Sequence, residues 1–396
     1  MRVLHVTPYY APAFAYGGPP RSIHGLCRAL AQAGVDVEVF TTNANGADLL
    51  PAAPGGAVCE GVRVRYFPLS APPLFWNARG MREAIARALP AADVVHIHGL
   101  WHRPGWDAAR LARGAGVPYV ISPRGMLEAE ALAIHGRRKA VAWRLFERRR
   151  IRGAALLHAT STRENQTLAA RRLGPPIVLA PNGVDVARPA GVDPDAVLRA
   201  MGLDPGARFV LFLGRVHPIK RLDLLAQAAV LLRARDVRIV IAGPDENGHR
   251  AALAPMFEAS GLATIWTGAV DERQRWTLLT RARALVLCSN SESFGLAAAE
   301  AMAAAAPVVV TRTCPWEEIE REGAGRWVEQ RAEAIAAAID GILEDPERAR
   351  AMGERGRALI ARRYAWPATA RLMADRYDAL AGQRFAAEDS CHSASR

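Results

Sequence analysis

Apolar residues in this chain fall in short blocks separated by helical stretches. The blocks at 3–6, 35–40, 62–67, 94–97, 119–121, 155–158 and 177–179 are nearly continuous in Val, Ile, Leu and Phe. Runs of this kind read as strands covered on both faces. Between them, apolar positions recur at helical spacing over 21–32, 81–89 and 106–113, in a basic run over 137–152, and from 159 through Thr167 to Leu173. A second series begins at 209–213, with a helix over 222–232, strands at 237–242 and 264–266, and a helix over 273–282. It continues with strands at 284–288 and 307–310 and helices over 332–343 and 346–363. Strict alternation of strand and helix predicts an α/β chain with parallel sheets. The Pro-, Gly- and Asp-rich stretch from Pro181 to Pro205 reads as a linker. Two domains are expected, 1–190 and 205–364, as doubly wound halves facing a central cleft. A last helix, 367–380 within an assigned span of 366–384, is expected to return to the first domain, and the polar end from 385 to fray.

Composition narrows the class. The chain has 396 residues, 51% hydrophobic and 23% charged, with a net charge of +12. No apolar run approaches the roughly 20 residues that span a bilayer. Five scattered cysteines without CxxC spacing favour a reducing, cytoplasmic setting. The positive balance is compatible with nucleic acid, an anionic membrane or an anionic substrate. No nucleic-acid recognition motif accompanies it, so nucleic acid is not expected as a partner. The run 137–152 mixes Arg137, Arg138, Lys139, Arg144, Arg148, Arg149, Arg150 and Arg152 with Val141, Trp143, Leu145, Phe146 and Ile151. That pattern suits peripheral contact with an anionic membrane, and equally suits a solvated helix face.

Candidate chemistry concentrates at predicted strand ends, where open α/β sheets bind ligands. Glu292 lies in the loop after the strand at 284–288, and Glu300 about a turn and a half into the next helix. Carboxylates accept hydrogen bonds from sugar hydroxyls, while a helix N-terminus attracts phosphate. A nucleotide-sugar satisfies both. Gly214, Arg215 and Lys220 follow the first strand of the second half. They offer room and two cations for a diphosphate leaving group, whose charge grows as its bond breaks. These cations would take the place of a metal, and no DxD-like acidic cluster is evident; neither metal nor cofactor is expected. Gly17 and Gly18 open the first helix of the first half as a phosphate cradle or a plain loop. His98 ends the strand at 94–97 and reads as an acid, a base or a sugar hydrogen-bond partner. His96 reads as a satisfied core residue, and Trp101 as a sugar platform or as core. Arg124 ends the following strand.

Gly17-Gly18, Gly214-Arg215 with Lys220, Pro181-Asn182-Gly183-Val184-Asp185 and the Glu292-x7-Glu300 signature together resemble the retaining glycosyltransferases of family 4, which have the GT-B fold. The resemblance covers nearly the whole chain, and the run from Glu292 to Met302 is its most specific part. Within that family, His98-Gly99-Leu100-Trp101, Ser122 to Leu127 and Pro315-Trp316 are similar to enzymes of bacterial surface-polysaccharide assembly. The resemblance implies that Arg215 and Lys220 bind the donor diphosphate. It implies that Glu300 holds the ribose, Glu292 the donor sugar, and the amides of Phe294, Gly295 and Leu296 the phosphate or sugar. It places Gly18 against the phosphate from the opposite domain. The leaving phosphate would help deprotonate the acceptor, with no protein nucleophile. Arg124 departs from the histidine usual at its position and cannot act as a base; it suits a phosphate or an anionic acceptor. The implied activity is transfer of a hexose from a nucleoside-diphosphate sugar to a glycan or lipid-linked acceptor. A nucleotide-sugar epimerase and a non-catalytic nucleotide-sugar-binding protein are the alternatives.

Overall fold

A computed structural model describes residues 1–72, 74–186, 190–246 and 248–393, with side chains through 382. The chain divides into two compact units, Met1–Gly183 with Trp366–Arg396, and Val184–Ala365.

The first unit contains β1 (Arg2–Val6), β2 (Asp36–Thr42), a two-residue ladder of β3 (Ala44–Asn45) and β4 (Asp48–Leu49), β5 (Ala53–Cys59) and β6 (Val62–Phe67). It continues with β7 (Val94–His98), β8 (Tyr119–Ser122), β9 (Leu156–Ala159) and β10 (Ile177–Leu179). Its main sheet runs β10-β9-β8-β7-β1-β2-β6-β5. Every pairing in that sheet is parallel except β5 with β6. Chain order reverses direction between β1 and β7, the switch point at which doubly wound sheets open a crevice. The apolar blocks became strands because both faces are covered: β7 is buried throughout. β5 escaped the sequence pattern because its Pro-Gly-Gly-Ala-Val run is exposed at the sheet edge.

The expected basic run is continuously helical but irregular: Gly136–Ala142 passes through a π turn at Trp143–Glu147 into Arg148–Arg152. His135, with φ 55°, separates it from the short helix Ala129–Ala133. Arg150 is buried and pairs at 2.7 Å with the equally buried Glu147. It is therefore an internal strut and not a surface charge. The final helix, Trp366–Ser393, extends past the expected end at Leu380. Residues 394–396 of the expected frayed tail lie outside the described residues. The helix does pack on the first unit. Trp366 fills the space left by Gly25, where a Cβ would stand 2.2 Å from the indole. Tyr377 joins His96 at 2.6 Å, and Thr369 Oγ1 donates to the Pro181 carbonyl at 2.8 Å.

The second unit contains β11 (Arg208–Leu213), β12 (Val237–Ala242), β13 (Thr264–Gly268), β14 (Ala284–Leu287), β15 (Val308–Thr311) and β16 (Arg326–Val328). They form a parallel sheet in the order β13-β12-β11-β14-β15-β16. Its switch point lies between β11 and β14. The linker holds an unexpected helix, Pro194–Ala200, whose N-cap Asp193 accepts from the amides of Asp195 and Ala196. The helix His249–Glu258 was hidden by Pro255 inside it.

The ends of β11 and β12 approach too closely for a side chain. Gly243 has φ 146°, and a Cβ there would stand 1.9 Å from the Gly214 carbonyl oxygen. Gly243→Ala is expected to destabilise the second unit by about 3 kcal/mol through forced backbone displacement. Denaturant unfolding within about 0.5 kcal/mol of wild type would contradict that packing.

Candidate active site

In the second unit the loops leaving β11 and β14 meet across the switch point. After β11 the chain passes Gly214 and Arg215 into a 3-10 turn, Pro218–Lys220, capped by His217, whose Nδ1 accepts from the Ile219 amide at 3.1 Å. After β14 comes the loop of Ser289 to Gly295, then the helix Leu296–Ala303 with Gly295 at its N-cap, φ 80°. The two loops are laced together. The Asn290 amide donates to the Ile219 carbonyl at 2.8 Å, and Cys288 Sγ lies 3.1 Å from the Arg221 carbonyl oxygen. Gln330 Nε2 and Thr313 Oγ1 hold the Ser289 carbonyl from below, at 3.1 and 2.5 Å.

This frame sets the charges. Lys220 Nζ meets Glu292 Oε1 at 2.5 Å, and Ser289 Oγ donates to the same oxygen at 2.7 Å. Both side chains are mostly shielded, 17% and 13% exposed. Lys220 and Glu292 thus converge as expected. Glu300, in the second turn of the helix Leu296–Ala303, pairs with Arg275 from the helix Glu272–Arg281. Burial works against the Arg275 charge, but the Glu300 carboxylate overrides it and raises the guanidinium pKa. Arg215 pairs with Glu246, in the loop beyond β12, and not with Glu292 or Glu300 among the described residues. His217 lies among these groups; burial lowers its pKa, with Glu246 opposing and Arg215 and Lys220 adding to the shift.

Phe294 is buried against Trp316 and Tyr364, with ring centroids at 5.2 and 5.6 Å. Its ring anchors the loop, so only its backbone is placed to meet a ligand. The first turn of any helix leaves amides without partners in the helix, and here that turn starts at Leu296. Half-buried Lys220 and Glu292 therefore meet just ahead of the start of the helix that carries Glu300. Such a set can hold a phosphate group beside several hydroxyls.

In the first unit, Gly17 caps and Gly18 begins the helix Gly18–Gln32, which follows β1 after a loop with a 3-10 turn at Phe14–Tyr16; the Gly17 amide donates to the Phe14 carbonyl at 3.0 Å. The histidines do something different from the expectation. Arg124, a donor only, reaches His98 Nδ1 at 3.2 Å through Nη2. That nitrogen must accept, so His98 Nε2 carries the proton and donates to His5 Nδ1 at 2.9 Å. With both nitrogens committed and the ring wholly buried, His98 is not placed as an acid, base or sugar contact. Burial is also the main force holding its pKa well below the ordinary range.

A second chain fixes His96. The Ala180 carbonyl can only accept, so His158 Nε2 donates to it at 2.7 Å. Ser122 Oγ then donates to His158 Nδ1 at 2.6 Å and accepts from His96 Nε2 at 2.7 Å. Tyr377 donates to His96 Nδ1. His96 is thus the satisfied core residue it was expected to be. His5, His96 and His98 bring ring nitrogens close enough to suggest a metal. Their lone pairs are already spent on one another and on neighbours, and the Arg124 guanidinium bonded to His98 opposes a cation.

Arg124 itself is 9% exposed and also donates to Ser22 Oγ at 2.9 Å and Asn182 Oδ1 at 3.3 Å. Its φ of 54° and the φ of 64° at Trp101 put left-handed residues after two adjacent strands. Such conformations cost about 1–3 kcal/mol each and gather at functional edges. Trp101 is half-buried against the core beside Trp143, and its amide donates to Glu147 at 2.5 Å; it is framework more than platform. Sequence reasoning missed Arg275 and Glu246. Each belongs to an element whose pattern says nothing of the sheet edge it meets.

Two family models divide the chain between them. "Glycosyl transferase 4-like domain" matches residues 17–183, and "Glycosyl transferases group 1" matches residues 196–359. D-inositol 3-phosphate glycosyltransferase of Pseudarthrobacter chlorophenolicus is 30% identical over 95% of this chain and 94% of its own length. The enzyme of the same name from Kineococcus radiotolerans is 31% identical, over 93% and 92%. Among solved structures, sucrose-phosphate synthase of Thermosynechococcus elongatus superposes with a TM-score of 0.77 at 21% identity, covering 98% of this chain and all (100%) of its own. HepE of Anabaena, in complex with UDP and glucose, gives 0.74 at 17% identity, covering 96% and 100%. No helix among the described residues is long and apolar enough to cross a membrane. With two parallel-sheet units of this topology and relatives matched end to end, the chain belongs to the family 4 type of glycosyltransferases and has the GT-B fold.

Proposed function

We propose that the protein transfers a hexose from a nucleoside-diphosphate sugar to a hydroxyl acceptor, with retention at the anomeric carbon. The observation that carries this reading is the Lys220–Glu292 contact across the switch point of the second unit. Without ligand, the lysine and the carboxylate hold each other in place and out of water. An arriving diphosphate takes Lys220, with Arg215 as a second cation that can leave Glu246. Glu292 is then freed for sugar hydroxyls. Glu300, steadied by Arg275, receives the ribose hydroxyls, and the amides of Phe294, Gly295 and Leu296 face phosphate or sugar. Gly18 offers a further amide in the first unit, while that of Gly17 already donates to the Phe14 carbonyl at 3.0 Å. The bond from C1 to the diphosphate oxygen breaks as the acceptor oxygen bonds to C1 on the same face. The acceptor proton passes to the leaving phosphate oxygen. Charge accumulates on the diphosphate, where the cations stabilise it most in the transition state.

Arg124 serves this reading as a positioning residue. Its buried charge stands at the crevice end of β8 and suits an anionic group on donor or acceptor. A glycan or lipid-linked acceptor of surface-polysaccharide assembly is the reading favoured by the motif resemblance. A phosphorylated polyol is the second, favoured by the relatives' name, D-inositol 3-phosphate glycosyltransferase. A thermal-shift screen of UDP-, GDP- and ADP-sugars tests the core of the proposal, because a ligand of the folded state raises its melting point by mass action. At least one is expected to stabilise the protein, UDP-sugars first. Stabilisation by none would overturn it. Product analysis with each acceptor class then decides between them; an altered donor with no acceptor requirement would indicate an epimerase, and binding without turnover a non-catalytic protein.

A further inference from the structure

The first unit has a second concave site that the transfer reaction does not use. A cavity of about 390 Å³ opens between the helices Met81–Ala88 and Arg103–Gly114 and the segment ending in Arg148–Arg152. Six arginines line it, Arg82, Arg103, Arg110, Arg113, Arg149 and Arg150, against a single acid, Asp107. Helical spacing explains the concentration: positions 103, 106, 107, 110 and 113 share one face of the helix. Two of the arginines are neutralised, Arg103 by Asp107 at 2.9 Å and Arg150 by Glu147 at 2.7 Å. Arg82, Arg110, Arg113 and Arg149 have no carboxylate partner among the described residues, and all four are exposed. Like charges so gathered repel one another unless an anion sits among them.

Apolar side chains adjoin these cations and reach outward. Leu145 is 63% exposed, Phe146 46% and Phe75 48%. Phe146 stacks on Trp106 at 4.6 Å and Phe75 meets the same indole at 5.1 Å, so the rings are held and not merely loose. A soluble phosphate would use the guanidinium groups and gain nothing from exposed leucine and phenylalanine. An anionic lipid surface uses both: phosphate headgroups for the arginines, the acyl boundary for the apolar rim.

We propose that this cavity seats the phosphate headgroups of an anionic phospholipid surface, with Leu145, Phe146 and Phe75 entering the acyl boundary. This keeps Leu145, Phe146, Arg149 and Arg150 of the run 137–152 in the expected membrane contact and adds the helix Arg103–Gly114 to it. The docking face is built jointly by the helix Arg103–Gly114 and the π turn Trp143–Glu147, and Arg150 holds it together from inside. The proposal is independent of how the second unit binds a donor.

Co-sedimentation of the full chain with vesicles tests it. Vesicles containing phosphatidylglycerol are expected to retain the protein, and vesicles of phosphatidylcholine alone to release it. Arg110→Glu with Arg113→Glu is expected to lower the partition by about tenfold or more. Leu145→Ser with Phe146→Ser is expected to lower it comparably with no change of charge. Inorganic phosphate is expected to compete no better than chloride at matched ionic strength. Should the charge-reversed protein melt abnormally, Arg110→Gln with Arg113→Gln replaces it, with the same direction expected. Equal binding to both vesicle types, or wild-type partition in either double variant, would overturn the proposal. So would specific competition by inorganic phosphate together with indifference to the apolar changes, which would assign the cavity to a soluble phosphate ligand.

Discussion

Lys220→Met is expected to lower kcat by about two to three orders of magnitude, the loss typical when one preorganised donor to developing negative charge is removed. The lysine is aimed by its 3-10 turn and by Glu292 at 2.5 Å, so little reorganisation is needed when a diphosphate arrives. Because leaving-group charge grows towards the transition state, kcat should fall more than KM rises. The substitution also leaves Glu292 half-buried without its cation, which costs stability. Lys220→Met combined with Glu292→Gln removes that cost and separates the two effects. The double variant should melt near wild type yet stay as slow as the single one. A single variant with wild-type kcat would remove Lys220 from the chemistry.

The second large effect is on stability. Five histidines of the first unit, His5, His96, His98, His102 and His158, are buried, and burial is the leading cause of a lowered pKa at each. His5 and His102 fall to about 3 and His158 to about 4, from an ordinary 6.5. The unfolded chain therefore takes up protons near pH 6.5 that the folded chain refuses. Stability is full above that pH and falls as pH drops below it. Each of these histidines adds to the loss of stability as pH falls below the ordinary imidazole range, because burial keeps the folded form neutral. The first unit is therefore expected to be markedly less stable at pH 5 than at pH 7. Denaturant midpoints measured from pH 8 down to pH 5 should drop steeply below 6.5. A flat profile across that range would show that the relay from Tyr377 to Ala180 is not closed as described.

The strands that position both sites were legible because burial on two faces leaves an apolar run with nothing else to be. β5 and β16 were not, being short, exposed or charged at a sheet edge. Glu292 and Glu300 stood out because apolar strands bracket their loop and helix. Arg275 did not, because its helix carries an ordinary exposed pattern and only the sheet order brings it to Glu300. The histidines show the opposite difficulty. His98 looked available because it ends a strand beside a glycine. Register places His5 opposite His96 and His98 opposite Ser122, and that lateral packing, invisible along one chain, consumes their hydrogen-bonding capacity. The basic run was legible as a helix, but its periodicity does not register the π turn at Trp143–Glu147 or the burial of Arg150.

Calorimetric titration of the nucleoside-diphosphate sugar that most raises the melting point in the thermal-shift screen, into the wild-type protein and into Lys220→Met, tests the donor site most directly. The account predicts one site per chain in the wild type and affinity weaker by about tenfold or more without the lysine, the weight of one charge-assisted contact. Equal affinity in both proteins would place the diphosphate somewhere other than the switch point between β11 and β14.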